Sequence, residues 1–132
     1  MAKPVTGIGR VWPQLRTKWV ETRRAAELAA EQGAEEAAAA MRYLAPVDEY
    51  DLIRSIRVEE PDNHEFIGRI VWAGDETTIV YNRRGARFQN AKIQENGTLN
   101  MPANPFFNPG WRMVRTRVKG RITRAITKAW SK

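Results

Sequence analysis

The 132-residue chain contains no cysteine and only one histidine, His64. The absence of cysteine excludes disulfides, thiolate metal ligands and cysteine nucleophiles, and it is compatible with a reducing compartment. Long apolar segments are lacking too, because no hydrophobic run approaches the roughly 18 residues of a membrane span. The N-terminus also lacks the charged and then apolar pattern of a signal peptide. We therefore expect a protein made and kept inside a cell, or inside a particle assembled there, with no membrane partner.

Groups that support catalysis are scarce. His64 lies in a predicted turn beside two acidic residues, and metal binding there would need two or three further ligands at suitable spacing. Asp48, Glu49 and Asp51 form a carboxylate cluster without the glycine-punctuated loop of a calcium site, so capping or turn formation is the preferred interpretation. No nucleophile, base and orienting group can be assembled. We predict a protein that is not an enzyme and that holds neither a cofactor nor a metal.

Charge is distributed unevenly along the chain. Residues 1–65 contain 9 basic and 12 acidic side chains, whereas residues 66–132 contain 13 basic and 3 acidic ones, and no acid follows Glu95. Such asymmetry favours either a polyanionic partner or identical subunits that meet acidic face to basic face.

A long helix is predicted from about Pro13 to Leu44, because small and apolar residues recur there at three- and four-residue spacing. We expect Trp12, Leu15 and Trp19 to form a bulky anchor at one end, and Gly33 to mark a kink or a close crossing. The acidic residues Glu27, Glu31 and Glu35 lie four apart on one exposed face. This acidic row is interpreted either as a solvated face or as a docking strip for a basic partner surface.

Period-two alternation follows, and it predicts antiparallel strands at 52–58, 66–72 and 77–81, with a weaker fourth strand at 88–95. Residues 82–103 are predicted to be a long loop or hairpin arm. Four basic residues in this segment are candidates to contact DNA phosphates or a neighbouring subunit: Arg83, Arg84, Arg87 and Lys92.

A second helix closes the chain. Asn108 is the predicted cap and Pro109 the first helical residue. An apolar stripe follows at helical spacing: Trp111, Val114, Val118, Ile122, Ala125, Ile126 and Ala129. Basic residues flank the stripe in two rows, which suits a packed helix better than a groove-reading one. We predict a single α+β domain over residues 1–132, with both helices packed on a three- to four-stranded antiparallel sheet.

Four segments resemble the gene-product-ten-like head-to-tail connector, or tail-completion, proteins of long-tailed, lambda-like bacteriophages. The proline-phenylalanine helix entry at 105–109 is similar to the signature that closes that family. Ala45-Pro46-Val47-Asp48, with Leu52, Ser55 and Ile56 after it, looks like the family's Ala-Pro-x-Asp segment. Glu95-Asn96-Gly97-Thr98 resembles its Glu-Phe-Gly-Thr turn, and the alanine-rich helix before Ala45 also fits.

The resemblance implies a virion neck subunit assembled in the host bacterial cytoplasm. Its expected partners are copies of itself in a ring, expected to be hexameric, and other head-connector and tail proteins, with non-specific contact to genome DNA in the lumen. Within that role the 83–98 loop is expected to contact the next ring or subunit. Pro105, Phe106 and Pro109, followed by Trp111, are expected to act as a wedge that positions the last helix.

Two other classes remain open from the residues. One is a basic, non-enzymatic nucleic-acid-binding module whose arginine-rich second half holds a duplex by its phosphates. The other is a small regulatory or toxin-like protein with an RNA target.

Overall fold

The computed structural model describes residues 8–46 and 50–132, so Asp48 and Glu49 lie outside the described residues. Helix α1 spans Ile8–Leu44, and its 37 residues make it about 55 Å long. It begins earlier than predicted and includes Pro13, but it ends at Leu44 as expected. The end is fixed by the Ala45-Pro46 pair, because a residue before proline is disfavoured in the helical region.

Helix α4 spans Phe107–Trp130 and packs along α1 in the antiparallel direction. Buried Val114 and Val118 of its predicted stripe lie in the core, as do Ala37 and Met41 of α1. The main cover of each helix is therefore the other helix. The expectation that both helices pack chiefly on a sheet is corrected by this arrangement.

Two glycines allow the helices to approach closely. A Cβ at Gly33 of α1 would lie 2.5 Å from Cγ1 of Val118, and one at Gly110 of α4 would lie 2.9 Å from the backbone nitrogen of Met41. Both distances are too short for nonbonded carbon contacts. Gly33 therefore marks a close crossing, one of the two roles that the sequence predicted for it.

Four short strands form two separate antiparallel pairs. Strand β1 (Arg57–Glu59) pairs with β2 (Ile70–Trp72), with Val58 opposite Val71. Strand β3 (Ile79–Tyr81) pairs with β4 (Arg87–Gln89), with Val80 opposite Phe88. The α+β class is confirmed, but the single three- to four-stranded sheet is wrong, since the described residues form two two-stranded sheets.

The first predicted strand is wrong over 52–55, because Tyr50–Ser55 form a short helix, α2. Leu52 and Ile56 are buried four residues apart, a spacing that shares one face in a helix and in a strand, whereas the burial of Ser55 fits only the helical spacing. The Ser55 hydroxyl donates to the carbonyl of Leu52 at 2.6 Å and accepts the Gly74 N–H at 2.9 Å. These local bonds compete with strand pairing.

A capped turn separates the two sheets. The Asp75 carboxylate accepts the Thr77 N–H at 2.8 Å, and the Thr78 hydroxyl accepts the Asp75 N–H at 2.9 Å. A hydrogen bond from the Thr77 side chain is the largest cause that lowers the pKa of Asp75. Because Glu76–Thr78 wind into a 3-10 turn, β2 and β3 do not continue as a meander.

The predicted arm at 82–103 is a hairpin only in its first part. The tip at 82–86 joins β3 to β4, and helix α3 (Asn90–Asn96) replaces the weak fourth strand beyond Gln89. The main core lies where the second half of α1 meets α2, α3 and the start of α4: Ala37, Ala38, Met41, Ala45, Leu52, Ile56, Ala91, Phe106, Val114 and Val118. No described helix is both long and apolar enough to cross a membrane.

Candidate interaction surfaces

In the acidic row of α1, one glutamate forms an ion pair and two are exposed without one among the described residues. Glu27 is half-buried, and its carboxylate lies 3.3 Å from Nε of Arg23. Glu31 and Glu35 are exposed, and neither belongs to an ion pair of the described residues. The surface available to a partner is therefore centred on Glu31 and Glu35.

The neighbouring Glu36 has a structural role instead. Its half-buried carboxylate pairs with Arg117 and, at 2.9 Å, with Nη2 of Arg121 of α4. Two members of one basic row on α4 therefore hold the helices together. Exposed basic residues remain on α4 and face solvent: Arg112, Arg115, Lys119, Arg124 and Lys128.

The β3–β4 hairpin presents a basic tip. Arg83, Arg84 and Arg87 are all exposed, together with Tyr81, which is 68% exposed. Backbone bonds to one side chain shape the tip, because the Asn82 amide oxygen accepts the N–H groups of Arg84 at 2.9 Å and Ala86 at 2.8 Å. The guanidinium groups are not needed for this turn. They are free to meet phosphates or acidic side chains.

Lys92, predicted to act with these arginines, belongs to a different surface. It is exposed on α3 and lines a groove of about 350 Å³ beside β2, together with Glu95 and Phe107. Three of the four basic candidates therefore lie on the hairpin, and Lys92 lies on the helix that directly follows it.

The residues of the predicted wedge differ in burial. Phe106 is only 1% exposed, and its ring meets that of Phe107 edge to face, with 6.4 Å between centroids. Pro109 and Trp111 are half-buried, and Pro105 is exposed. Phe106 is the member that ties the start of α4 to the core. The positioning role of the other three stays a prediction.

Glu95, which the sequence analysis placed in a turn motif without a capping role, caps α4. The predicted cap at Asn108 is wrong: the helix begins at Phe107, and the N-cap Phe106 makes no side-chain cap hydrogen bond. Instead, the Glu95 carboxylate accepts the N–H groups of Phe106, Phe107 and Asn108, each at 2.9 Å. One carboxylate thereby satisfies three donors that would otherwise lack an intrahelical partner.

The ionised form of Glu95 is favoured by this arrangement. Partial burial acts to raise its pKa, but the bonds from Asn108, Phe106 and Phe107 outweigh that effect and hold the pKa below its usual value. A sequence signal for this role existed, since Glu95 is the only acid after Glu76. It stands in a strongly basic half where a carboxylate is unexpected.

A large apolar surface, which we term the apolar tip, lies at the far end of the helix pair: Val11, Trp12, Leu15, Trp19, Val20 and Trp130. Trp12 is 66% exposed, and Trp19 and Trp130 are 55% and 50% exposed. Together with Arg16, five of the six surround a recess of about 570 Å³. The prediction that Trp12, Leu15 and Trp19 form a packed anchor is therefore wrong within one copy of the chain.

The chain's histidine, considered as a metal ligand from the sequence, lies among the described residues. In the ranges 8–46 and 50–132, no group of three or more histidine, aspartate or glutamate side chains is placed to hold a metal ion. His64 lies in the β1–β2 turn, where its backbone carbonyl accepts a hydrogen bond from Arg23. The recess that includes His64 holds about 200 Å³ and also contains Glu27, Glu60 and Arg69.

Comparisons of the chain with protein-family models, curated proteins and solved structures returned no significant match.

Proposed function

We propose that the chain is a structural subunit of the neck of a long-tailed bacteriophage virion. Copies form a ring, expected to be six-fold, that joins the head connector to the tail. The role is mechanical rather than catalytic. The ring stops the growing tail or attaches it to the filled head, and it leaves a lumen through which the genome passes.

One observation carries this proposal: segments that resemble the connector family meet in space. Glu95, from the glutamate-glycine-threonine motif, binds the backbone at the phenylalanine-proline helix entry. Leu52 and Ile56, from the alanine-proline motif, share a core with Phe106. Contacts between three motifs that are distant in sequence support reading them as one structural unit.

The exposed surfaces support assembly. The apolar tip, the acidic residues Glu31 and Glu35 and the basic hairpin are all exposed in the described part of one copy. Exposed apolar patches of this kind mark interaction sites. Identical subunits that carry patches of opposite sign can associate head to tail, and such contacts give rings when the rotation closes.

The direct test is to locate the chain in particles of the phage or prophage that encodes it. We expect necks or tails to contain the chain. Deleting its gene should leave filled heads and tails that fail to join, or tails of uncontrolled length, by electron microscopy. Purified necks and tails that lack the chain altogether would overturn the proposal.

The hairpin contact is tested by replacing Arg83, Arg84, Arg87 and Lys92 with serine. The monomer should remain folded, because exposed charges contribute about 0 to 1 kcal/mol per pair and Asn82 shapes the tip. Particle yield should fall. The matched control removes the same charge from exposed positions of α4: Arg112, Arg115, Lys119 and Arg124. A normal particle yield from the four-serine variant would show that these basic residues make no contact needed for assembly.

A nucleic-acid-binding module is the second candidate, and the exposed arginines of the hairpin favour it. Duplex binding by an isolated monomer, with affinity that falls steeply as salt rises, would support this alternative. If the four-serine variant fails to join heads to tails, and both it and the wild-type protein bind DNA weakly, the result supports the neck role.

A further inference from the structure

The apolar tip continues the same face of α1 that α4 covers elsewhere. Met41 lies against Gly110 and Gly33 against Val118, and Nζ of Lys18 stands 5.9 Å from the Trp130 ring centroid. Because the helices are antiparallel, these contacts place the end of α4 beside the Lys18 side chain of α1. The ten residues Ile8–Thr17 therefore extend α1 about 15 Å further. Over that length α4 contributes the side chain of Trp130, which lines the recess with Trp12 and Leu15 but leaves Trp12 66% exposed.

The uncovered surface is large enough to matter. Three tryptophans that are each at least half exposed leave on the order of 300 Å² of aromatic surface in water, given the 150 to 250 Å² that an aromatic side chain can bury. Patches of this size on a monomer are often functional. Tryptophan is also enriched among the residues that dominate binding energy at interfaces.

Basic side chains surround the apolar tip. Arg16 lines its recess, Lys18 lies over Trp130, and the Arg23 guanidinium lies 5.4 Å from the centre of the Trp19 ring. Lys132 lines an adjoining recess with Lys18, where Glu21 is the acidic member. Two tips placed face to face would bring these like charges together. The charge pattern therefore disfavours a symmetric tip-to-tip dimer and favours an acidic occupant.

An acidic surface of this kind is present on the outer face of α1, so a second copy of the chain can supply it. Leu28, Glu31 and Glu35 lie at positions i, i+3 and i+7, so they share one side of the helix. Leu28 is 57% exposed, and both carboxylates are exposed. Glu27, which Arg23 engages, does not need to take part. This acidic face offers one apolar contact, Leu28, followed along the helix by two charges that complement the basic rim.

We propose that the apolar tip of one copy docks on the Leu28, Glu31 and Glu35 face of the next copy. The contact is heterologous, because the two surfaces are different and lie apart on the same helix. It rests on the proposed ring assembly and names the surfaces that build it. Each copy uses both surfaces once, so the contact repeats around the ring until it closes.

Single-cysteine variants test this contact, since the chain has no native cysteine. Leu15→Cys places a thiol on the tip, and Leu28→Cys places one on the acidic face; both positions are exposed. The two variants, one carrying a tag that changes its mass, are mixed over a range of concentrations and mildly oxidised. A mixture of Leu15→Cys with Thr123→Cys, on the exposed side of α4, is the matched control.

We expect a mixed disulfide from Leu15→Cys with Leu28→Cys that exceeds the control by at least about tenfold, because docking holds the thiols far above their bulk concentration. Neither variant should cross-link alone. A chain with both substitutions should give a ladder that ends at the closed ring. Glu31→Lys with Glu35→Lys should reduce the mixed product, and Arg16→Glu in the tip copy should restore part of it.

Three results would overturn the contact. The first is a disulfide from Leu15→Cys alone, which indicates tip-to-tip pairing. The second is no mixed product above the control in solution or in assembled particles. The third is a monomer that sediments with vesicles of anionic lipid through Trp12 and Trp19. A chain found in necks without the cross-link refutes the contact and leaves the proposed function. Cross-linked rings of a chain that is absent from necks support the contact and refute the proposed function.

Discussion

The two ends of α1 show one apolar face in two environments. From Ala26 to Leu44 the face is built of small residues, and Ala29 and Ala37 are buried against the rest of the fold. From Val11 to Val20 it is built of large residues, and Trp12 and Trp19 are more than half exposed. The helix does not change its period between these ends. What changes is whether another segment of the same chain lies above it.

This difference shows that side-chain size along α1 matches whether α4 packs against that part of the helix. Small residues let the α1 and α4 backbones approach until Gly33 and Gly110 leave no room for a Cβ. Large residues at such a crossing would hold the helices apart. At the apolar tip, where α4 ends, the exposed tryptophans instead present a large apolar area that a separate partner surface can bury. Substitutions at the covered end should therefore affect folding, and those at the tip should affect association.

The largest effect is expected at the covered end, from Phe106→Ala. This side chain is buried in the core beside Met41 and Val114, and truncating a buried phenylalanine typically costs about 3 to 5 kcal/mol. Phe66→Ala, at a position that is 68% exposed, is the matched control. Chemical unfolding measures both. Equal stabilities would show that Phe106 does not anchor the start of α4.

Gly110→Ala should have the next largest effect, because the added methyl group would lie 2.9 Å from the backbone nitrogen of Met41. Overpacking of this kind costs about 1 to 3 kcal/mol. Gly120→Ala is the control, since its nearest neighbour is the flexible end of Arg124 at 3.0 Å. There alanine should be neutral or should stabilise the helix by up to about 1 kcal/mol. Equal losses at both glycines would contradict the close crossing.

Glu95→Gln should destabilise the protein by about 0.5 to 2 kcal/mol, the usual range for a helix cap. The pKa of Glu95 is lowered in the folded state, so its stabilising effect is complete above the usual value of 4.5. It is lost as the pH falls through the folded pKa. The gap between wild type and variant should therefore narrow in acid, as followed by urea unfolding from pH 7 to pH 3. A gap that stays constant would argue against an ionised cap.

The smallest effect on folding is expected at the apolar tip. Trp12→Ser with Trp19→Ser should change the free energy of unfolding by about 1.5 kcal/mol or less in total, of which about 0.5 kcal/mol is usual for exposed positions. The cation–π contact of Arg23 with Trp19 adds about 0.5 to 1 kcal/mol at most. Thermal melts of dilute monomer provide the measurement. A loss comparable with that of Phe106→Ala would mean that the tip is packed within one copy.

Much of the helical part was predictable from the sequence. The three- and four-residue spacing gave both helices, and the Ala45-Pro46 pair gave the end of α1. The burial of Val114 and Val118 followed from the predicted stripe. The β region was predicted less well, because Leu52 and Ile56 stand four apart and so share a face in a strand as well as in a helix. Hydrogen bonds of Ser55 and Asp75 then decided the local geometry.

The candidate sites were predicted unevenly for a similar reason. Exposure of Arg83, Arg84 and Arg87 follows from a polar hairpin, which composition indicates. The separation of Lys92 from them depends on α3, whose short pattern was interpreted as a strand. The capping role of Glu95 depends on a hydrogen bond to a residue 11 positions further along the chain, Phe106. Local propensity contains no information about such a contact.

By itself, the sequence determined the helical periods, the absence of thiol chemistry and the charge difference between the two halves, because these are properties of residue type and spacing. Only the tertiary structure decided which apolar positions are covered. Covering depends on where the partner helix ends, and α4 ends near Lys18 of α1. The apolar face beyond that point is identical in period to the face that is buried, but in the part of the chain that the structure describes α4 meets it only through Trp130.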